Sequence, residues 1–340
     1  MTSSIYEQSY YANVGRRGLP FWSVGKFEFS FPIDMLERGS ETGPTIVIER
    51  VYLMHIGFSS MNTPHDPPLA ELAVILEERG FESLWTGEHS HIPVNRQTPY
   101  PAGGDLPEPY KWMMDPYLAL MSAAAVTSTL KLGTGIALLM ERELFSQAKT
   151  IATLDRLSAG RLMVGTGVGW NEEGFANASD QPWHRRYGVM RETVGAMRAL
   201  WQQEEAQFHG EFIDFDPVWS YPKPCQPDGP PVIFGAMGPL GLRHAAKWAD
   251  GWMPVDLGMA DVGQSIASFR EMVLGEGREP DAVPVSLQTM ITPDLDALKR
   301  YRDMGVERVI IGVAIDLWDK PEEIMPLIDR FTAYIPEITG

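Results

Sequence analysis

Three features of the 340-residue chain point to an α/β fold of the closed (β/α)8, or TIM-barrel, kind. From residue 51 onward short apolar runs alternate with amphipathic stretches of helical length, the grammar of a parallel sheet covered by helices. That alternation repeats eight times, and 340 residues suit one barrel as well as two ordinary domains. The runs at 132–139 and 162–166 are joined by one helix's worth of sequence at 144–158, as a parallel crossover requires, and each run carries Gly-Thr-Gly. Bare backbone at the carboxyl ends of two neighbouring strands reads as a floor for a planar ligand.

The elements follow in order. Residues 1–50, with aromatics scattered without period and a closing SETGP, read as an extension outside the core, either disordered, laid across a neighbouring surface, or foreign to the natural protein. The barrel domain is expected over 51–340. Strand one is expected at 52–58, its helix at 68–79 closed by Gly80, and strand two at 82–86. A Pro/Gly-rich loop at 87–114 is long enough to be a lid or a binding element. Asp115-Pro116 then opens a helix over 117–127. Beyond the two Gly-Thr-Gly strands come an irregular stretch at 169–183, a helix at 184–201 and a hairpin-like insertion. Strands five to eight are expected at 232–235, 251–255, 283–290 and 308–313, with helices at 239–248, 262–274, 293–304 and 322–334. In such a barrel the reactive face is the carboxyl end of the strands.

Composition narrows the function. A formal net charge of −17 disfavours any broad contact with nucleic acid. Cys225 is the only cysteine, so neither an intrachain disulfide nor a cysteine zinc cluster can form. No apolar run reaches membrane-spanning length, and the first residues lack a secretory core, so a cytoplasmic enzyme is expected.

His89 and His91, in TGEHSHIP, directly follow strand two. His-x-His at a strand end is also how barrel metallohydrolases hold a metal, but strands five and six end in GAMG and MPVD without a further histidine, so no metal site is expected. Glu88 beside His89 is expected to raise the histidine's pKa and keep it ready for proton exchange. At Gly235, Ala236, Met237 and Gly238 a strand ends in small residues and turns at once into a helix, which suits a phosphate monoester at the positive end of the helix dipole. Trp170, after the glycine-rich end of strand four, is the tryptophan expected beside a ligand. The rim cations Arg96, Lys111, Arg142, Arg185, Arg186 and Lys223 read mainly as solvated charges.

Together, LEERGFESLWTGEHSHIP, DPYLALMSAAAVTSTLKLGTGIALL, TIATLDRLSAGRLMVGTGVGWNEEGF and PPVIFGAMGPLGLRHAAKWADGWMP resemble the luciferase-like flavin and deazaflavin oxidoreductases, nearest to the branch that uses coenzyme F420. The resemblance runs from about residue 51 to the C-terminus. It implies a homodimeric barrel that seats its tricyclic ring at the strand ends. It makes Glu88 and His89 the catalytic pair, His89 acting on the ring or the transferred proton. It places Thr134, Gly135, Ile136, Gly167, Trp170, Asn171 and the turn from Gly235 to Gly238 around the cofactor, with a cis peptide at Gly135-Ile136. Sugar-phosphate dehydrogenases of this kind carry a catalytic glutamate where this chain has Val168, which counts against that reaction. The Trp, Met and Pro content of the loops after strands two, four and eight points to a small apolar or aromatic substrate. FMN, serving a monooxygenase, is the alternative cofactor, and a carrier or sensor that binds flavin without turnover is a further alternative.

Overall fold

A computed structural model describes residues 53–257 and 259–339, and the extension expected at 1–50 lies outside them. Eight parallel strands form one sheet: β1 (His55–Ser60), β2 (Ser83–Thr86), β3 (Lys131–Thr134), β4 (Leu162–Thr166), β7 (Val232–Phe234), β8 (Gly251–Trp252), β9 (Ser286–Gln288) and β10 (Arg308–Gly312). Their order is β8-β7-β4-β3-β2-β1-β10-β9, and isolated bridges Trp252↔Val285 and Val255↔Gln288 close β8 onto β9. The insertion is an antiparallel hairpin, β5 (Ala206–His209) with β6 (Asp214–Val218).

Helices clothe the outside: α1 (Leu69–Glu78), α2 (Pro116–Ala124), α3 (Leu144–Leu157), α4 (Glu172–Ala178), α5 (Arg186–Gln202), α6 (Pro239–Trp248), α7 (Val262–Gly275), α8 (Leu295–Asp303) and α9 (Ile324–Thr339). Their ends follow local chemistry. The Asp115 carboxylate accepts from the amides of Tyr117 and Leu118 at the start of α2, and Gly80 takes a φ of +81° after α1. α4 lies inside the stretch expected to be irregular. Its polar sequence hides a short helix that Asn171 caps by accepting from the Gly174 amide.

The strands bury both faces, so two cores form. The outer one lies between sheet and helices. The inner one, Trp85, Met163, Ile233, Met253 and Ile310, fills the barrel bore. At the amino-terminal side of the bore Arg308, only 2% exposed, is held by both carboxylate oxygens of Glu82 at 2.6 and 2.8 Å. Burial pushes the Glu82 carboxyl up, but Arg308 and Lys131 outweigh it and hold it down at about 2.

Trp85 explains the first Gly-Thr-Gly. A Cβ on Gly133 would lie 2.2 Å from Trp85 Cε3, and one on Gly165 would lie 1.9 Å from the Thr134 carbonyl oxygen. These glycines admit protein atoms: the indole fills the bore, and β4 approaches β3. Gly133→Ala is therefore expected to destabilise the fold by about 1–3 kcal/mol in urea unfolding. Combining it with Trp85→Leu should recover part of that loss. An unchanged midpoint for the single variant would contradict the packing argument.

Candidate active site

A cavity of about 480 Å³ opens at the carboxyl ends of the strands. Its walls follow from strand alternation. Ser59, Trp85 and Gly133 are register partners and share the inward side of the sheet, so the residues between them face outward. One wall is glycine-rich, with Gly87, Gly135, Gly235 and Gly238 beside Ile136. A cis bond joins Gly135 and Ile136 where the chain leaves the ladder after Thr134. The expected strand at 132–139 is thus cut short, and its second half bends into the cavity wall.

Glu88, His89, Trp170, Ala236 and Met237 also border this space. Thr134, Gly167 and Asn171, also expected around the cofactor, are not among the residues that line it. Thr134 occupies the outward register, and its hydroxyl donates to the Gly165 carbonyl at 2.7 Å. Gly167 points inward but is covered by Ile136, whose Cδ1 would lie 2.5 Å from an added Cβ. Asn171 spends its carbonyl oxygen on the helix cap of α4.

The Glu88-His89 pair is split by its surroundings. The buried Glu88 carboxylate accepts from the Leu138 amide at 2.8 Å and from Arg142 Nε at 2.5 Å, and Arg142 also donates to Asp115 at 2.6 Å. His89 instead sits edge-on to Tyr110 and Trp170, with ring centroids 5.2 and 5.9 Å away. Burial, helped by His91, lowers its pKa to about 4, the opposite of the expected rise. Arg142 absorbs the charge of Glu88, while aromatic rings deprive an imidazolium of solvent. Trp170 Nε1 donates to His89 Nε2 at 3.4 Å, which leaves the proton of the neutral ring on Nδ1. His91 faces elsewhere, to Ser90 at 2.9 Å and Asn177 at 3.4 Å.

The long loop at 87–114 roofs the site. Tyr110 meets Trp318 of the loop after β10 at 5.8 Å, and Trp318 Nε1 donates to the Val313 carbonyl at 2.8 Å. Glu173 on α4 tethers the loop by accepting from Thr98 N and Oγ1 at 3.1 and 2.7 Å and from the Gln97 amide. Tyr110, Trp318, Ser59 and Gln288 were invisible as site residues in the sequence. The inward alternation of β1 and β9 is the signal that would have found Ser59 and Gln288.

At the far end of the glycine wall, α6 begins one residue after Gly238, with Pro239 in its first turn. A Cβ on Gly238 would meet nothing within 4 Å, so the backbone there is open. An open backbone wall ending at a helix N-terminus fits a flat ring carrying a phosphate. A closed barrel with a cavity of this size at the carboxyl face is the architecture of a barrel enzyme.

Sequence comparison makes the class specific. The luciferase-like monooxygenase family profile matches residues 54–325, and the chain belongs to that family. An uncharacterized protein of Mycobacterium tuberculosis is 37% identical over 265 residues, covering 76% of this chain and 92% of that one. An F420-dependent glucose-6-phosphate dehydrogenase of Nakamurella multipartita is 27% identical over 264 residues, covering 75% and 70%. Among solved structures, an F420-dependent secondary alcohol dehydrogenase in complex with an F420-acetone adduct shares the fold, with TM-score 0.64, 20% identity and coverage of 85% and 100%. The monooxygenase RslO1 from Streptomyces bottropensis shares it equally, with TM-score 0.64, 19% identity and coverage of 84% and 99%. The protein is an enzyme of a family that contains both F420-dependent oxidoreductases and monooxygenases.

Proposed function

We propose that the chain is an F420-dependent oxidoreductase that moves a hydride between a deazaflavin and a small apolar or aromatic organic molecule. The observation that carries this reading is the backbone wall of Gly135, Gly235 and Gly238, which runs to the N-terminus of α6. Bound there, the deazaflavin supplies a ring carbon that gives or takes a hydride. Ile136 would support one ring face, and Gly235, Ala236, Met237 and Gly238 would hold the phosphate. Neutral His89 would offer its Nδ1–H as a hydrogen-bond donor at the reacting end, with Trp170 fixing the imidazole. Tyr110 and Trp318 would exclude water from above.

Glu88 takes a positioning role in this reading: its bond to the Leu138 amide pins the chain just beyond Gly135-Ile136. Val168 lines the cavity and has no proton to give, which favours an apolar substrate over a sugar phosphate. Among the described residues no helix is long and apolar enough to cross a membrane. A cytoplasmic homodimer completes the proposal.

Fluorescence titration of the purified chain with F420 and, separately, with FMN tests the cofactor. F420 is expected to bind at least about tenfold tighter. Preferential tight uptake of FMN would move the assignment to the monooxygenases of the family.

A further inference from the structure

Opposite the glycine wall, the cavity is bounded by the ends of β1, β9 and β10, and its chemistry there is different. Gln288 lines the cavity from the last position of β9, and Ser59 lines it from β1. Register places both inward. Gln288 pairs with Ile310, a bore residue, and Ser59 pairs with Gly312. Among the described residues neither the Gln288 carboxamide nor the Ser59 hydroxyl makes a hydrogen bond. Gly312 lies against Ser59: a Cβ there would stand 3.2 Å from the Ser59 carbonyl oxygen and 3.6 Å from its Cβ.

Two further hydroxyls on this side are already engaged, Ser60 Oγ accepting from the Asn62 amide at 3.0 Å and Thr289 Oγ1 donating to the Ile310 carbonyl at 3.3 Å. Beside them stand the apolar Met61, Met290, Val313, Leu317, Trp318 and Ile324. Charge is scarce. Asp66, Glu88 and Lys320 are the charged residues lining the cavity, Glu88 is neutralised by Arg142, and Lys320 is exposed at the rim. An anionic substrate would find no enclosed cation on this side.

Resting on the oxidoreductase reading above, we propose that Gln288 is the specificity-determining residue and that the substrate is a neutral, largely apolar ketone or enone. Its carbonyl oxygen accepts from the Gln288 carboxamide, and Ser59, two strands away, supplies a second donor. Two unpartnered donors in an apolar half-cavity select strongly for one acceptor oxygen, because a ligand lacking it leaves them desolvated and unpaired. The carboxamide is neutral at every working pH, so this preference does not titrate.

Acetophenone and its hydrocarbon isostere α-methylstyrene isolate the handle. Calorimetric titration of the full chain, with and without F420, is expected to show acetophenone bound at least about tenfold tighter than α-methylstyrene. Gln288→Met should remove most of that preference by weakening acetophenone alone. F420 affinity should stay within about threefold of the parent's, since no contact to the ring is removed. Ser59→Ala should remove a smaller part, and it decides the matter if Gln288→Met does not fold. Equal binding of the two ligands by the parent chain, or a preference that survives in the folded variants, would overturn the proposal. So would parallel loss of F420 affinity in Gln288→Met, which would place the carboxamide on the ring. If the parent chain takes up no F420, the oxidoreductase reading falls while the comparison of the two ligands still decides the handle.

Discussion

Replacing His89 with alanine is expected to lower turnover by about 10²–10⁴-fold, the range for removing a positioned proton-handling group. The imidazole stands between Tyr110 and Trp170 in a setting that keeps it uncharged, so its value lies in a fixed Nδ1–H donor. Its pKa, lowered from 6.5 to about 4, puts its titration below the working range. Turnover should therefore be insensitive to His89 protonation from about pH 5.5 upward. A limb near pH 7 has another source on hand: Glu141, whose carboxyl is pushed up to about 7 by burial and by Glu88. Such a limb should vanish in Glu141→Gln and persist in a His89→Gln variant that keeps measurable activity. Stability carries the same sign. The unfolded chain binds a proton at this histidine below about pH 6.5 and the folded chain does so only below about 4. The stability of the parent relative to His89→Gln is then full above pH 6.5 and falls as pH drops between those values. Melting curves of parent and variant that run parallel across that window would contradict the assignment.

Removing Arg142 is expected to be the most damaging change to stability among the charged residues at the site. Its partner Glu88 is 5% exposed, and the Arg142→Ala variant would leave that carboxylate with only the Leu138 amide. Loss of one member of a buried pair costs about 3–5 kcal/mol. Arg142 also ties Asp115, the cap of α2, to the same point, so a share of the loss should appear as fraying of that helix. The double variant Glu88→Gln, Arg142→Met should recover more than half of the deficit in urea unfolding, because the buried charge is gone and the one carboxylate left without its guanidinium, Asp115, is 34% exposed to solvent. A single variant within about 1 kcal/mol of the parent would show that water replaces the guanidinium without difficulty.

Eight strand and helix pairs were legible in the chain because period-two and helical patterns, glycine stops and aspartate caps all agreed. Boundaries moved where tertiary contacts decided them. The apolar run 132–139 looks like one strand, yet the regular strand ends at Thr134; beyond it an isolated bridge from Ala137 to Thr166 remains, and the Leu138 amide is held by the Glu88 carboxylate from a different strand end. The lining of the cavity was legible where a motif occupies consecutive positions at a strand end, as in Glu88-His89 and the turn from Gly235 to Gly238. It was misread where neighbouring residues were assumed to share a direction. Thr134 and Gly135 are adjacent, and alternation sends only the second toward the bore. The pKa of His89 was misjudged because its sequence neighbour Glu88 is bound to Arg142, 54 positions away, while the rings that surround the histidine arrive from 21 and 81 positions downstream. Trp318 carries no motif, so only the closed barrel brings it to the cavity, and Gln288 is marked by nothing beyond the alternation of its strand.

Trp85, seated in the space that Gly133 leaves open, stops the barrel like a cork. Whatever enters the well must come and go through the mouth beneath Tyr110 and Trp318. A cofactor and a substrate held on facing walls, as proposed above, would have to share that passage.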